Sequence, residues 1–180
     1  MKLREPFYYE DMGLNQPYLS MFLVAPYCDF TCEDCQNIHL KDNRIQDFDI
    51  EELSKIYRDN PFYQGITIGG LEPFLSKADC TYYSSCESWI PVKDQLDIIL
   101  LDVRKFIMVN EIQKVTIYTR FTLKHSGVSS YIQCLKNLDC VKELYLKTGE
   151  YVVGSNSKIV TLNDWSITLA SDNQNFERIK

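Results

Sequence analysis

An α/β fold organised around a mostly parallel sheet is what the sequence predicts, on two observations. Short apolar runs that read as strands alternate with amphipathic stretches at helical spacing. The two least ordinary loops, PYCDFTCEDCQN at 26–37 and GGLEP at 69–73, each follow one of those runs. Such alternation implies right-handed crossovers between parallel strands, and in sheets of this kind, open or curled into a barrel, active sites lie at the carboxyl ends of the strands.

The elements follow in order. Residues 19–25, LSMFLVA, form an apolar run closed by Pro26 and read as a buried strand. In DFDIEELSKIYRD, 47–59, Ile50, Leu53 and Tyr57 share a helical face, and Asp49 with Glu52 makes a capping-box-like start. GITI at 65–68 is a second strand running into Gly69 and Gly70. After an irregular stretch at 76–92, residues 94–107 place Leu96, Ile99, Leu100, Val103, Phe106 and Ile107 on one side of a helix. VTIYT at 115–119 is the third strand, SSYIQCLKNL at 129–138 the third helix and ELYLK at 143–147 the fourth strand. KIVTL and ITLAS offer one or two more. No repeat, low-complexity tract or linker divides the chain, so 1–180 is expected to be one domain.

Composition narrows the function. At 45% hydrophobic and 24% charged residues the chain is that of an ordinary folded protein. A net charge of −6 argues against broad attraction to nucleic acid or anionic lipid, and the tyrosines lack basic interleaving. No apolar run spans a bilayer and the first residues hold no signal-peptide core, so the expectation is a cytoplasmic protein with no membrane contact. Seven cysteines there point to thiols, metals or redox chemistry rather than disulfides.

Cys28, Cys32 and Cys35 are spaced C-x3-C-x2-C, one thiolate short of a closed site. The economical reading is a [4Fe–4S] cluster with one iron left open for a small molecule. The alternative is a Cys3His zinc knuckle completed by His39. The glycine pair at 69–70 allows a backbone to approach a ligand without Cβ obstruction, or simply makes a tight turn. Both loops follow strands, so they are expected to face one crevice although some forty residues apart.

The cysteine loop after the first strand and the GG-x-E-P-like turn after the second resemble the radical S-adenosylmethionine enzymes. The resemblance implies a partial (β/α) barrel of five to six βα units; at about 30 residues per unit, 180 residues accommodate that many and no appended substrate domain. It implies that Cys28, Cys32 and Cys35 hold the cluster, and that Gly69, Gly70 and Glu72 contact S-adenosylmethionine. Asn37 and Thr119 are placed beside the cofactor in the same way, as is Asp34, which stands just before the third cysteine where many of these enzymes carry an aromatic residue near the adenine.

YLSMFLVAPYCDFTCEDCQN, VTIYTRFT, LYLKTGEYV and ASDNQ further resemble anaerobic ribonucleoside-triphosphate reductase activating proteins. A reaction follows from that likeness: reductive cleavage of S-adenosylmethionine to a 5′-deoxyadenosyl radical that generates a glycyl radical on a class III anaerobic ribonucleotide reductase. A flavodoxin-like protein would donate the electron. A radical enzyme acting on a small molecule or peptide is the other reading within the family. Leu71 is an insertion relative to the commonest GGEP form, and Arg120 stands where that family's turn has glycine. Cys80 with Cys86 and Cys134 with Cys140 form two C-x5-C pairs, either an accessory metal site or idle thiols.

Overall fold

The computed structural model describes residues 1–4, 10–11, 17–28, 35, 37–42, 44–74 and 92–180. Its centre is a six-stranded sheet. Strands β1 (Lys2–Arg4) and β2 (Glu10–Asp11) precede β3 (Ser20–Val24), and β4 (Ile45–Asp47) pairs with β1 in a separate antiparallel ribbon. Helix α1 (Ile50–Asp59) leads to β5 (Gly65–Gly69), α2 (Val92–Val109) to β6 (Lys114–Tyr118), and α3 (Ser126–Lys136) to β7 (Glu143–Thr148). A hairpin of β8 (Lys158–Leu162) and β9 (Trp165–Leu169) follows, then β10 (Asn175–Arg178). The sheet order is β10-β7-β6-β5-β3-β2; the four central strands are parallel and both edges antiparallel.

The helices form where the sequence pattern places them. Asp49 caps α1 by accepting from the Glu51 N–H at 2.7 Å, and Leu53 points inward. Asn110, at the end of α2, donates to Ser54 Oγ of α1 at 2.8 Å and to the Phe106 carbonyl of its own helix at 2.9 Å. Glu111 then turns the chain with φ at 50°. On α3, Val128, Tyr131, Ile132 and Leu135 are buried, and the Tyr131 hydroxyl donates to the Leu100 carbonyl of α2 at 3.1 Å.

All three helices lie on one face. Their apolar residues share a single core with Met21, Leu23, Ile66, Ile68, Val115, Ile117, Leu144 and Leu146, the alternate residues of the four parallel strands. The opposite face is smaller and more polar. Ser20 Oγ and Thr67 Oγ1 are 2.7 Å apart there, as are the Tyr18 hydroxyl and Thr116 Oγ1, all fully or nearly buried. Ile167 and Leu169 of the hairpin cover part of this face by packing with Tyr145 and Phe176.

The partial barrel of five to six βα units does not form among the described residues. Three helical crossovers join four parallel strands, and the sheet remains open. The reason lies after β7, where the chain enters a hairpin instead of a fourth helix and returns as β10 antiparallel to β7. A strand running the opposite way ends the winding. The irregular stretch at 76–92 falls almost wholly outside the described residues. Among those described, no helix is long and apolar enough to cross a membrane.

Close strand packing yields a prediction. A Cβ at Gly65 would run into the Lys114 backbone carbonyl of the paired strand and the buried Tyr18 ring, so one of them would have to shift. Gly65→Ala is therefore expected to destabilise the fold by about 2 kcal/mol or more, lowering the melting temperature by roughly 4–8 °C in a thermal scan.

Candidate functional site

Parallel strands in sequential order bring the loops at their carboxyl ends side by side. A cleft of about 400 Å³ opens there. Cys28 comes from the loop after β3, Gly70, Leu71 and Glu72 from the turn after β5, and Thr119 and Arg120 from the turn after β6. Tyr118 and Lys147, at the strand ends, line it too. Gly149, Glu150 and Tyr151 follow β7; Ala170 and Gln174 close the cleft beyond the hairpin. Two segments forty residues apart thus meet in one crevice.

Glu72 is tightly held in this wall. Only 6% exposed, its carboxylate takes three hydrogen bonds. Oε1 accepts from Thr119 Oγ1 at 2.7 Å and from the Phe74 N–H at 2.9 Å, and Oε2 accepts from the Arg120 N–H at 2.8 Å. The Glu72 N–H in turn donates to the Tyr27 carbonyl at 3.1 Å, next to Cys28. Burial pushes this carboxyl up to about 7, against the opposing pull of its three donors and the Arg120 charge.

The tie continues around the cleft. Thr119 N–H donates to the Lys147 carbonyl at 2.9 Å, and the Arg120 guanidinium pairs with Glu150 at 2.7 Å. Lys147 Nζ sits 5.1 Å from the centre of the Tyr118 ring. Gln174 Nε2 donates to the Gly149 carbonyl at 3.3 Å, anchoring the loop after β7 to the turn that follows the hairpin.

Both glycines have a reason within the fold. A Cβ on Gly69 would lie 2.8 Å from Tyr118 Cβ, and Gly70 adopts φ of 74° with its Cβ direction facing Val24 and Leu40. Gly70 lines the cleft with its backbone, whereas Gly69 lies at the strand end and bonds the Ala25 N–H through its carbonyl at 2.8 Å. Leu71, the insertion in the turn, is buried among Phe22, Val24, Ala25 and Leu40.

Cys28 and Cys35 are half-buried and both open onto the cleft. Cys28 packs against the cluster around Phe22 and Leu40. The Cys35 carbonyl accepts the Ile38 N–H at 3.0 Å, and the Asn37 carbonyl accepts the Leu40 N–H at 3.0 Å, starting a 3-10 turn over Ile38–Asp42. Asn37 also lines the cleft. Cys32 and Asp34 lie outside the described residues. His39 is exposed on the 3-10 turn and does not line the cleft. Cys134 and Cys140 are half-buried and likewise away from it, Cys140 packing against the helix-side core; Cys80 and Cys86 lie outside the described residues.

Sequence motifs pointed to Cys28, Cys35, Asn37, Gly70, Glu72 and Thr119, and the fold gathers these six around one cavity. They did not single out Tyr118, Lys147, Glu150, Tyr151 or Gln174, although LYLKTGEYV and ASDNQ contain four of these residues. The chain matches no family model, no curated protein and no solved structure.

The titration of Glu72 sets a pH dependence. Its folded-state value lies above its unfolded value, so the folded chain binds the extra proton between about 4.5 and about 7. Its contribution to stability is complete below that window and declines as pH rises through it. Denaturant midpoints measured from pH 5 to pH 8 are expected to fall more for the wild type than for Glu72→Gln, which has no proton to lose.

Proposed function

We propose that the chain is a radical S-adenosylmethionine enzyme that installs a glycyl radical on a class III ribonucleotide reductase type of partner. The observation that carries this reading is the meeting of Cys28 and Cys35 with the Gly70–Glu72 turn and Thr119 in one cleft at the carboxyl ends of the parallel strands. Helices confined to one face of strands in sequential order also agree with it.

The residues present suit the implied groups. Half-buried thiols are soft donors fit for iron, and a third, Cys32, stands between them in sequence. The cleft volume falls within the range of about 300–1,000 Å³ usual for small-molecule sites. His39, the fourth donor of the zinc alternative, is exposed on its turn and off the cleft. When bound, the cluster would supply the single electron that splits the sulfonium of S-adenosylmethionine.

The chain's own residues do the remaining work. Cys28, Cys32 and Cys35 hold the cluster. The backbone of Gly70 and the polar wall of Thr119, Lys147 and Asn37 orient the cofactor's polar groups in the cleft. Tyr118 and Tyr151 add aromatic surface that keeps water from the reacting end. The mouth of the cleft is left to the partner, whose glycine segment completes its closure.

Anaerobic reconstitution tests the reading. A brown protein carrying iron and cleaving S-adenosylmethionine is expected, and Cys28→Ala, Cys32→Ala and Cys35→Ala should each abolish cleavage while leaving the apo-protein folded by circular dichroism. Deuterium from an α-deuterated glycine of the partner should appear in 5′-deoxyadenosine. A colourless protein holding zinc, or retained cleavage in any one variant, refutes the assignment.

A further inference from the structure

The turn at Glu72 looks from the sequence like a ligand contact, yet its carboxylate faces the protein. Both oxygens are engaged by donors from the chain, and two of the three donors belong to Thr119 and Arg120, on the turn after the neighbouring strand β6. We propose that Glu72 is a positioning residue: it clamps the loop after β6 to the turn after β5 and so sets the width of the cleft, without itself touching what the cleft holds. The inference rests on the proposed function only for the identity of that ligand.

Three features support the clamp. Burial of the carboxylate makes each of its hydrogen bonds stronger than it would be in water, because no solvent competes for the oxygens. The same residue's N–H holds the Tyr27 carbonyl, so the cysteine loop and the Thr119–Arg120 turn are referred to one short segment. Beyond the turn, Arg120 passes the constraint to Glu150 on the loop after β7. Four successive carboxyl-end loops are thereby held in register.

The charged groups around the clamp are Arg120 on the turn after β6, Lys147 on β7 and Glu150 on the loop after β7; the thiols of Cys28 and Cys35 line the same cleft. None of them replaces what the carboxylate does for the Arg120 amide. In Glu72→Gln the side chain keeps its shape and one oxygen, but an NH2 group then confronts the Arg120 N–H, donor against donor. Thr119→Val removes the hydroxyl donor from the other side of the same contact, whereas Thr119→Ser retains it.

Amide hydrogen exchange of the apo-protein, read residue by residue, together with S-adenosylmethionine binding to the reconstituted protein, tests the clamp. In Glu72→Gln and in Thr119→Val the Arg120 amide should exchange at least about tenfold faster, with β5 and β6 unchanged; the Phe121 amide, bonded to Thr119 Oγ1 itself, is read only in Glu72→Gln. Both variants should weaken S-adenosylmethionine binding by about tenfold or more. Thr119→Ser should restore both readouts, and the double variant should be no worse than the more severe single one. Weakened binding in Glu72→Gln with unchanged Arg120 exchange and a neutral Thr119→Val would make Glu72 a direct ligand contact and overturn the proposal. Faster exchange throughout the sheet would overturn it too, since Glu72 would then serve only the stability of the fold. A reconstituted wild type that ignores S-adenosylmethionine sinks the proposed function, while the exchange pattern still decides the clamp.

Discussion

Winding in a single direction is the constraint on which the rest of this structure depends. Strands β3, β5, β6 and β7 lie in sequential order, each crossover helix packs on the same face, and neighbouring strands run parallel. Loops that leave neighbouring strands at the same end are then neighbours themselves. For the residues at and just beyond the ends of the parallel strands, the register of the sheet does this, with Val24 opposite Gly69 and Ile68 opposite Ile117. Among the described residues, the face opposite α1, α2 and α3 carries small hydroxyl residues in close contact, and the β8–β9 hairpin and the 3-10 turn cover what a second helical layer would cover elsewhere.

Burying a carboxylate in such a wall is unfavourable unless its oxygens are satisfied, and here three donors satisfy them. Desolvation still outweighs those donors, which is why the group holds its proton toward neutral pH. An apolar residue at the same place would pack with less penalty but would have no direction. Hydrogen bonds do, and they define one arrangement of the Thr119–Arg120 turn relative to the cysteine loop. Arg120, a departure from the glycine that the resemblance leads one to expect, is absorbed into this network through its backbone N–H and its pair with Glu150.

Much of the core could be read along the chain because it repeats a local period. Four strands buried on both sides appear as apolar runs, and α1, α2 and α3 show their inward faces at helical spacing. Their ends shifted by a few residues; α3, for instance, begins at Ser126 rather than 129. Short strands left no such mark. β1, β2, β4 and β10 have two to four residues each, and what makes them strands is a partner supplied from far along the chain, such as Thr148 opposite Asn175. Lys147 and Gln174 lie within LYLKTGEYV and ASDNQ, but nothing in those segments singles them out, since their place in the cleft comes from β7 and from the return of the chain after the hairpin.

The sequence by itself determined the strand–helix alternation, the placement of the cysteine loop and the glycine turn after strands, and the presence of thiols and a carboxylate near one crevice, because these are carried by residue type and short-range spacing. Only the tertiary structure decided that the sheet stops short of a barrel, that Ala170 and Gln174 beyond the hairpin close the cleft, and that the Glu72 carboxylate faces Thr119 and Arg120, up to 48 positions away, rather than open space. Those outcomes depend on which distant segments become neighbours, and no local pattern encodes a neighbour that the fold alone supplies.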